Sequence, residues 1–306
     1  MAELSASDEC ADRVCVVTGA GRGLGREYAL RLAAQGAAVV VNDIGTGIDG
    51  AGRSGVPGAA VVDEITAAGG RAVLNTDDVA DFAGAEALVG QAVAEFGRLD
   101  VLVNNAGILR DRTITRMTED EWDSVIRVHL KGTFATAHWA LRHWRERAGA
   151  GPVHGRLVNT TSVSGLFGNP GQANYGAAKA GIAAFTMIAS LEAQRYGVTV
   201  NAVSPGAATR MTDSIPGRAS SESVLDDTRS PRWVAAVVCW LASRRSDGVT
   251  GRVFLSSGKR LAVAEGWHPG PAATPVADPV EVDTVLRGLL DKARQEADLT
   301  GADRVR

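Results

Sequence analysis

A strand-sized apolar run, Val14 to Val17, leads straight into Thr18-Gly19-Ala20-Gly21-Arg22-Gly23-Leu24-Gly25, and an amphipathic stretch then continues to Gln35 and stops at Gly36. Glycines at this spacing let the chain turn tightly out of a strand and bring bare backbone N–H groups against a pyrophosphate. The helix that follows adds its positive N-terminal end. A glycine-rich turn can also serve geometry alone. Its place between the first strand and the first helix is the context a dinucleotide site requires. The segment therefore predicts a βα unit holding a dinucleotide on Gly19, Gly21, Arg22, Gly23, Leu24 and Gly25.

The rest of the chain repeats this alternation. Ala37–Val41 is a continuous apolar run of the kind found in parallel strands buried on both faces. Further strands are expected at 72–74, 101–103, 156–159, 198–203 and 253–255. Helices are expected between them: from Val61 to Ala68, from a cap at Asp81 to Phe96, from Thr118 to about Arg147, from Ala173 to Arg195 and from Pro231 to Ala242. Thr118 and Glu121 form a capping box at the start of the third of these. Gly45 to Gly58 carries six glycines and reads as a loop. The pattern predicts an α/β fold: a single Rossmann-type domain with a doubly wound parallel sheet and helices on both faces. Its expected extent is 13–263, after a flexible N-terminus at 1–12 and before a C-terminal extension at 264–306. That extension comprises a proline-rich strap and a final helix near Val280–Ala297.

Asp43 follows the second strand, 18 residues after Gly25. A carboxylate there accepts hydrogen bonds from the adenosine ribose hydroxyls and repels a 2′-phosphate, so the expected cofactor is NAD rather than NADP. Arg22, a base inside the glycine loop, pulls the other way. Asp78 and Val79, after the third strand, are placed to reach the adenine. Asn105, Ala106 and Gly107, after the fourth, are placed to line the same cleft.

Tyr175 and Lys179 stand four apart on an expected helix and so share one face. An ammonium and an oxidised nicotinamide ring beside a phenol should lower its pKa, which makes Tyr175 a candidate general base for alcohol oxidation and general acid for carbonyl reduction. Ser162, at the end of the fifth strand, can hold the substrate oxygen and the charge that develops on it.

Composition excludes several other classes. The net charge of −3 gives no electrostatic case for a nucleic-acid partner. Cys10, Cys15 and Cys239 have no metal-ligand spacing, so no metal is expected, and free thiols fit a reducing cytoplasm. No apolar stretch reaches the roughly 20 residues of a membrane span, and the acidic, polar start does not look like a signal peptide.

The chain resembles the short-chain dehydrogenases/reductases over nearly its whole length. Thr18 to Gly25 matches that family's TGxxxGxG loop, Asn104 to Gly107 its NNAG motif, and Ser162 with Tyr175 and Lys179 its serine and YxxxK pair. Pro205-Gly206 matches the segment carrying nicotinamide-side contacts into the substrate loop. The resemblance implies that Tyr175 and Lys179 also touch the cofactor, and that a substrate lid spans about 207–228. One position departs: His129 stands where the family usually has a catalytic asparagine. That residue mainly offers its backbone carbonyl, so the role survives substitution, and His129 stays among the candidate site residues.

Asn42 to Gly45, the glycine-rich insertion, Asn104 to Thr113, the His129 segment and Gly168 to Tyr175 resemble one subgroup. This is the 3-hydroxyacyl-CoA dehydrogenase domain of peroxisomal multifunctional enzyme type 2, with its free-standing bacterial relatives. The resemblance implies an NAD-dependent oxidoreductase acting on a secondary alcohol or ketone, with 3-hydroxyacyl-CoA as the leading substrate and Arg110, Arg112 or Arg210 as candidate contacts for CoA phosphates. It also implies a homodimer or homotetramer built on the two long helices, with Trp139 and Phe185 as interface side chains. The alternative is a ketoreductase or alcohol dehydrogenase acting on a polyketide, steroid or other secondary metabolite.

Overall fold

A computed structural model describes residues 9–207 and 227–304. Among these, the chain alternates β1 Val14–Thr18, α1 Gly23–Ala34, β2 Ala38–Asn42, α2 Val56–Ala67, β3 Arg71–Asn75, α3 Phe82–Phe96 and β4 Val101–Asn104. It continues with α4 Glu119–Ile126, α5 Gly132–Ala148, β5 Arg156–Thr160, α6 Val163–Phe167, α7 Ala173–Ala193 and β6 Thr199–Pro205. The last elements are α8 Arg232–Ala242, β7 Val253–Ser256, β8 Leu261–Ala264 and α9 Pro279–Leu290.

The strands form one sheet in the order β3-β2-β1-β4-β5-β6-β7-β8. It is parallel except for β8, which pairs antiparallel with β7. The order reverses beside β1, between β2 and β4, and such a switch point opens a crevice beyond the C-terminal strand ends.

The continuous apolar strands are explained by two cores. Alternate residues of β1 and β2 point to opposite faces. Cys15, Val17, Val39 and Val41 join Tyr28, Leu32, Ile65 and Val238 on one face. Val14, Val16, Ala38 and Val40 join Leu88, Trp144, Ala189 and Val200 on the other. Each fully buried leucine here contributes about 1.5–3 kcal/mol of transfer free energy.

Several local expectations change. The single helix expected from Thr118 to Arg147 is interrupted by a π-helical turn at Arg127–Lys131, which puts His129 at its centre. The capping box forms as expected: Glu121 N–H donates to Thr118 Oγ1 at 3.2 Å and Thr118 N–H to Glu121 Oε2 at 2.9 Å. Helix α2 starts inside the glycine-rich stretch, at Val56, with Pro57 in its first turn. Asp81 holds the N-cap position of α3 without a side-chain cap bond. The final helix ends at Leu290. Residues 9–12, expected to be loose, are seated: Cys10 is buried, and its N–H donates to Gln35 O at 3.0 Å. The expected lid, with Arg210, lies almost entirely outside the described residues; its described flanks are Ala207 and a 3₁₀ turn at Asp227–Arg229.

Candidate active site

A cleft of about 360 Å³ runs along the C-terminal strand ends. Gly19, Arg22, Gly23 and Leu24 line one end, and Tyr175, Lys179 and Pro205 the other. Asp43, Asp78, Val79, Asn105, Ala106, Gly107 and His129 lie between. Gly21, Gly25, Ser162 and Gly206 are not among the residues that line the cleft.

At the first end, close packing demands glycine. Gly19 has φ +62°, and a Cβ on it would come within 2.8 Å of Ala106 Cα. A Cβ on Gly25 would sit 2.1 Å from Gly19 O. The loop is pinned from β4: Thr18 Oγ1 accepts from Asn105 N–H at 2.9 Å and Ala106 N–H at 3.1 Å, and Asn105 Nδ2 donates to Thr18 O at 3.0 Å. Helix α1 opens at this point without a side-chain cap bond and with no acidic residue in its first turn. Its positive end therefore stays available to an anion in the cleft. The loop, the uncapped helix end and the cleft that joins them to Tyr175 and Lys179 together fit a nicotinamide dinucleotide.

Asp43 is held rigidly, accepting from Gly21 N–H at 2.7 Å and Gly45 N–H at 2.6 Å. Arg22 turns across the mouth to Thr46 O at 3.4 Å. Burial works against the Asp78 carboxylate. The Ala80 N–H and the Arg127 guanidinium outweigh that effect and hold its pKa below the ordinary range. Gly206 N–H is committed to Ser256 O at 2.8 Å.

The sequence reading missed the roof of the cleft. Thr46 to Gly50, from the glycine-rich insertion, line it together with Ile108, Arg110 and Arg127. Ile48 O accepts from Leu109 N–H at 2.9 Å and Asp49 O from Arg110 Nε at 3.0 Å, so the insertion is latched to the loop after β4. Both arginines of that loop already have partners: Arg110 meets Asp120 at 2.5 Å and Arg112 meets Glu121 at 3.1 Å.

At the other end Ser162 caps α6, its Oγ accepting from Ser164 N–H at 3.2 Å, and it hydrogen-bonds the Tyr175 side chain. Lys179 Nζ donates to Thr160 O at 2.6 Å and lies 5.6 Å from the Tyr175 ring centre. Asn174 fixes the start of α7. Its Nδ2 donates to Arg110 O and Glu121 O at 2.9 and 2.8 Å, and its Oδ1 accepts from Tyr175 N–H at 2.8 Å.

The expected lowering of the Tyr175 pKa is reversed in the protein by itself. Burial pushes it up to about 12, the Ser162 hydrogen bond draws it down, and the Asp111 carboxylate pushes it up. Burial also drives Lys179 down to about 7, so the lysine is already neutral where the phenol would ionise and gives it no cationic help.

His129 is fully buried and held neutral, its pKa driven down to about 3 by desolvation and then by Lys179. Its Nε2 stands 3.0 Å from Ile108 N and 2.8 Å from Ile108 O, and accepts or donates according to tautomer. Its ring meets Tyr175 edge-on at 5.2 Å, and a Cβ on Gly107 would strike it at 2.2 Å. Among the described residues no group of His, Cys, Asp or Glu side chains could hold a metal ion.

Comparison with known proteins agrees with this geometry. The short chain dehydrogenase family model matches residues 13–218. The chain is 42% identical over 301 residues to hydroxyacyl-CoA dehydrogenase ChsB1 of Mycobacterium tuberculosis, covering 96% of this chain and 93% of that one. It is 41% identical over 271 residues to the peroxisomal hydratase-dehydrogenase-epimerase of Neurospora crassa, covering 84% of this chain but spanning only 29% of that protein's length. A crystal structure of a short chain dehydrogenase from Mycobacterium avium superposes with a TM-score of 0.85 at 48% identity, covering 96% of this chain and 100% of that one. The chain belongs to the short-chain dehydrogenase family and is an oxidoreductase that uses a nicotinamide cofactor.

Proposed function

We propose that the chain is an NAD-dependent 3-hydroxyacyl-CoA dehydrogenase in which Ser162, Tyr175 and Lys179 carry the chemistry. The observation behind this reading is the hydrogen-bonded Ser162–Tyr175 pair, with Lys179 beside it, at the far end of the cleft that starts on the glycine loop. Its substrate class rests on the relatives' names, above all the one matched over nearly its full length.

The glycine loop and the open end of α1 would hold the pyrophosphate. Asp43, lining the cleft, would take the ribose hydroxyls and exclude a 2′-phosphate. The bound nicotinamide supplies the hydride acceptor. Ser162 would orient the substrate oxygen, and Tyr175 would take the hydroxyl proton during oxidation or return it during reduction, a contribution of about 10²–10⁴-fold. Lys179 Nζ, tied to Thr160 O, would hold the proton behind the phenol. His129 fits a positioning role on the Gly107–Ile108 loop and not proton transfer, because its pKa of about 3 keeps it neutral.

We infer a homodimer or homotetramer as the working form. Trp139 and Phe185 are half-buried against the monomer core, while Phe134, Met187, Ile188 and Leu191 stand exposed on α5 and α7. Three buried free thiols fit a reducing cytoplasm. Among the described residues no helix is long and apolar enough to cross a membrane.

The pairing of Arg110 and Arg112 with carboxylates favours a second reading, a ketoreductase or alcohol dehydrogenase of secondary metabolism, since neither arginine stands ready for a CoA phosphate. The test compares kcat/KM for 3-hydroxyacyl-CoA esters, their free acids and polycyclic alcohols under one set of conditions. An advantage for the esters supports the first reading. Equal or better turnover of the polycyclic alcohols replaces it with the second.

A further inference from the structure

A chain of polar groups leads inward to Ser162 from an exposed residue outside the catalytic cluster. Asp111, in the loop after β4, accepts from Gln172 Nε2 through Oδ2 at 2.7 Å. Gln172 Oε1 accepts from Ser164 Oγ and from Asn169 Nδ2, both at 2.8 Å. Ser164 N–H in turn donates to Ser162 Oγ, and Ser162 hydrogen-bonds Tyr175. Gln172 and Ser164 are buried, so the bond between them does not compete with bulk water, while Asp111 is exposed at the outer end of the chain. The loop is also stitched to the approach of α7, because Arg112 N–H donates to Gly171 O at 2.8 Å and Arg112 forms a bridge with Gln172.

We propose that Asp111 is a positioning residue: through Gln172 and Ser164 it fixes the Ser162 hydroxyl against Tyr175. This rests on the dehydrogenase reading above. Asp111 is exposed, so solvent screens its charge, and burial is the main cause of the raised Tyr175 pKa while the Asp111 carboxylate is the least. What links Asp111 to the site is its bond to Gln172, and among the described residues it has no cationic partner to draw it away.

Asp111→Ala removes the acceptor that holds Gln172, Asp111→Asn keeps one, and Ser164→Ala cuts the chain nearer Ser162. Asp111→Ala should lower kcat about fivefold without changing KM for NAD, Asp111→Asn should recover most of it, and wild-type kcat in Asp111→Ala would overturn the role of Asp111. With NAD and racemic 3-hydroxybutyryl-CoA, Ser164→Ala should lower kcat about tenfold without changing KM for NAD, and Ser164→Thr should recover most of it. Wild-type kcat in Ser164→Ala would overturn the positional role. If Tyr175→Phe retains full activity, the dehydrogenase reading itself fails, a result distinct from both.

Discussion

His129 offers a quantitative test because its ring is sealed inside the protein. An unfolded chain takes up a proton on histidine near pH 6.5, whereas the native state refuses it until about 3. Below pH 6.5 the unfolded state thus binds more protons, and native stability is lost as pH falls from there towards 3. At about pH 5 the unfolded histidine lies 1.5 units below its pKa, and at 1.36 kcal/mol per unit this costs about 2 kcal/mol relative to pH 7. The figure requires only that the native pKa lie well under 5. The perturbation is His129→Asn, which removes the titrating ring. The assay is urea unfolding of wild type and variant at both pH values. The variant will differ in absolute stability, because the Ile108 contacts change. That offset cancels in the double difference, as do the carboxylates and His143 common to both chains. The expected result is that wild type loses about 2 kcal/mol more than the variant between the two pH values. Equal losses would show that His129 is protonated or water-exposed in the native state, and the account of a neutral positioning histidine would be refuted.

Asp43→Ala should narrow the preference for NAD over NADP by removing the ribose acceptor and the repulsion of a 2′-phosphate, read as the ratio of kcat/KM for the two cofactors; a wild type that already prefers NADP would show Arg22 to dominate. Gly25→Ala should weaken cofactor binding by at least about tenfold, since its Cβ would fall 2.1 Å from Gly19 O and push the loop off its course; unchanged affinity by fluorescence titration would refute that packing argument. Light scattering at micromolar concentration should give a dimer or tetramer, and Leu191→Glu, on the exposed face of α7, should shift it towards monomer.

The central sheet was legible because strands buried on both faces leave no polar alternation, as in Val14–Val17 and Ala37–Val41. The Ser162, Tyr175 and Lys179 cluster was legible because an i, i+4 pair must share a helix face. The π turn at Arg127–Lys131 was not, since one extra residue hardly disturbs an amphipathic pattern while it redirects His129. The glycine-rich insertion announced a loop, but its landing on Leu109 and Arg110 depends on long-range backbone bonds that composition does not encode. The Tyr175 pKa of about 12 in the protein by itself was not legible either, because spacing reveals Lys179 but not the burial that draws the lysine's own pKa down to about 7. β8 escaped because Leu261–Ala264 is a short antiparallel edge strand with Leu261 and Val263 exposed.

The most direct test follows the appearance of reduced nicotinamide in single-turnover mixtures of enzyme, NAD and racemic 3-hydroxybutyryl-CoA, for wild type and Tyr175→Phe. The account predicts hydride transfer in wild type, and in the variant NAD bound as tightly but transfer slowed by about 10²–10⁴-fold, because the ring still packs on His129 while the titrating oxygen is gone. Transfer in Tyr175→Phe within a few-fold of wild type would contradict it.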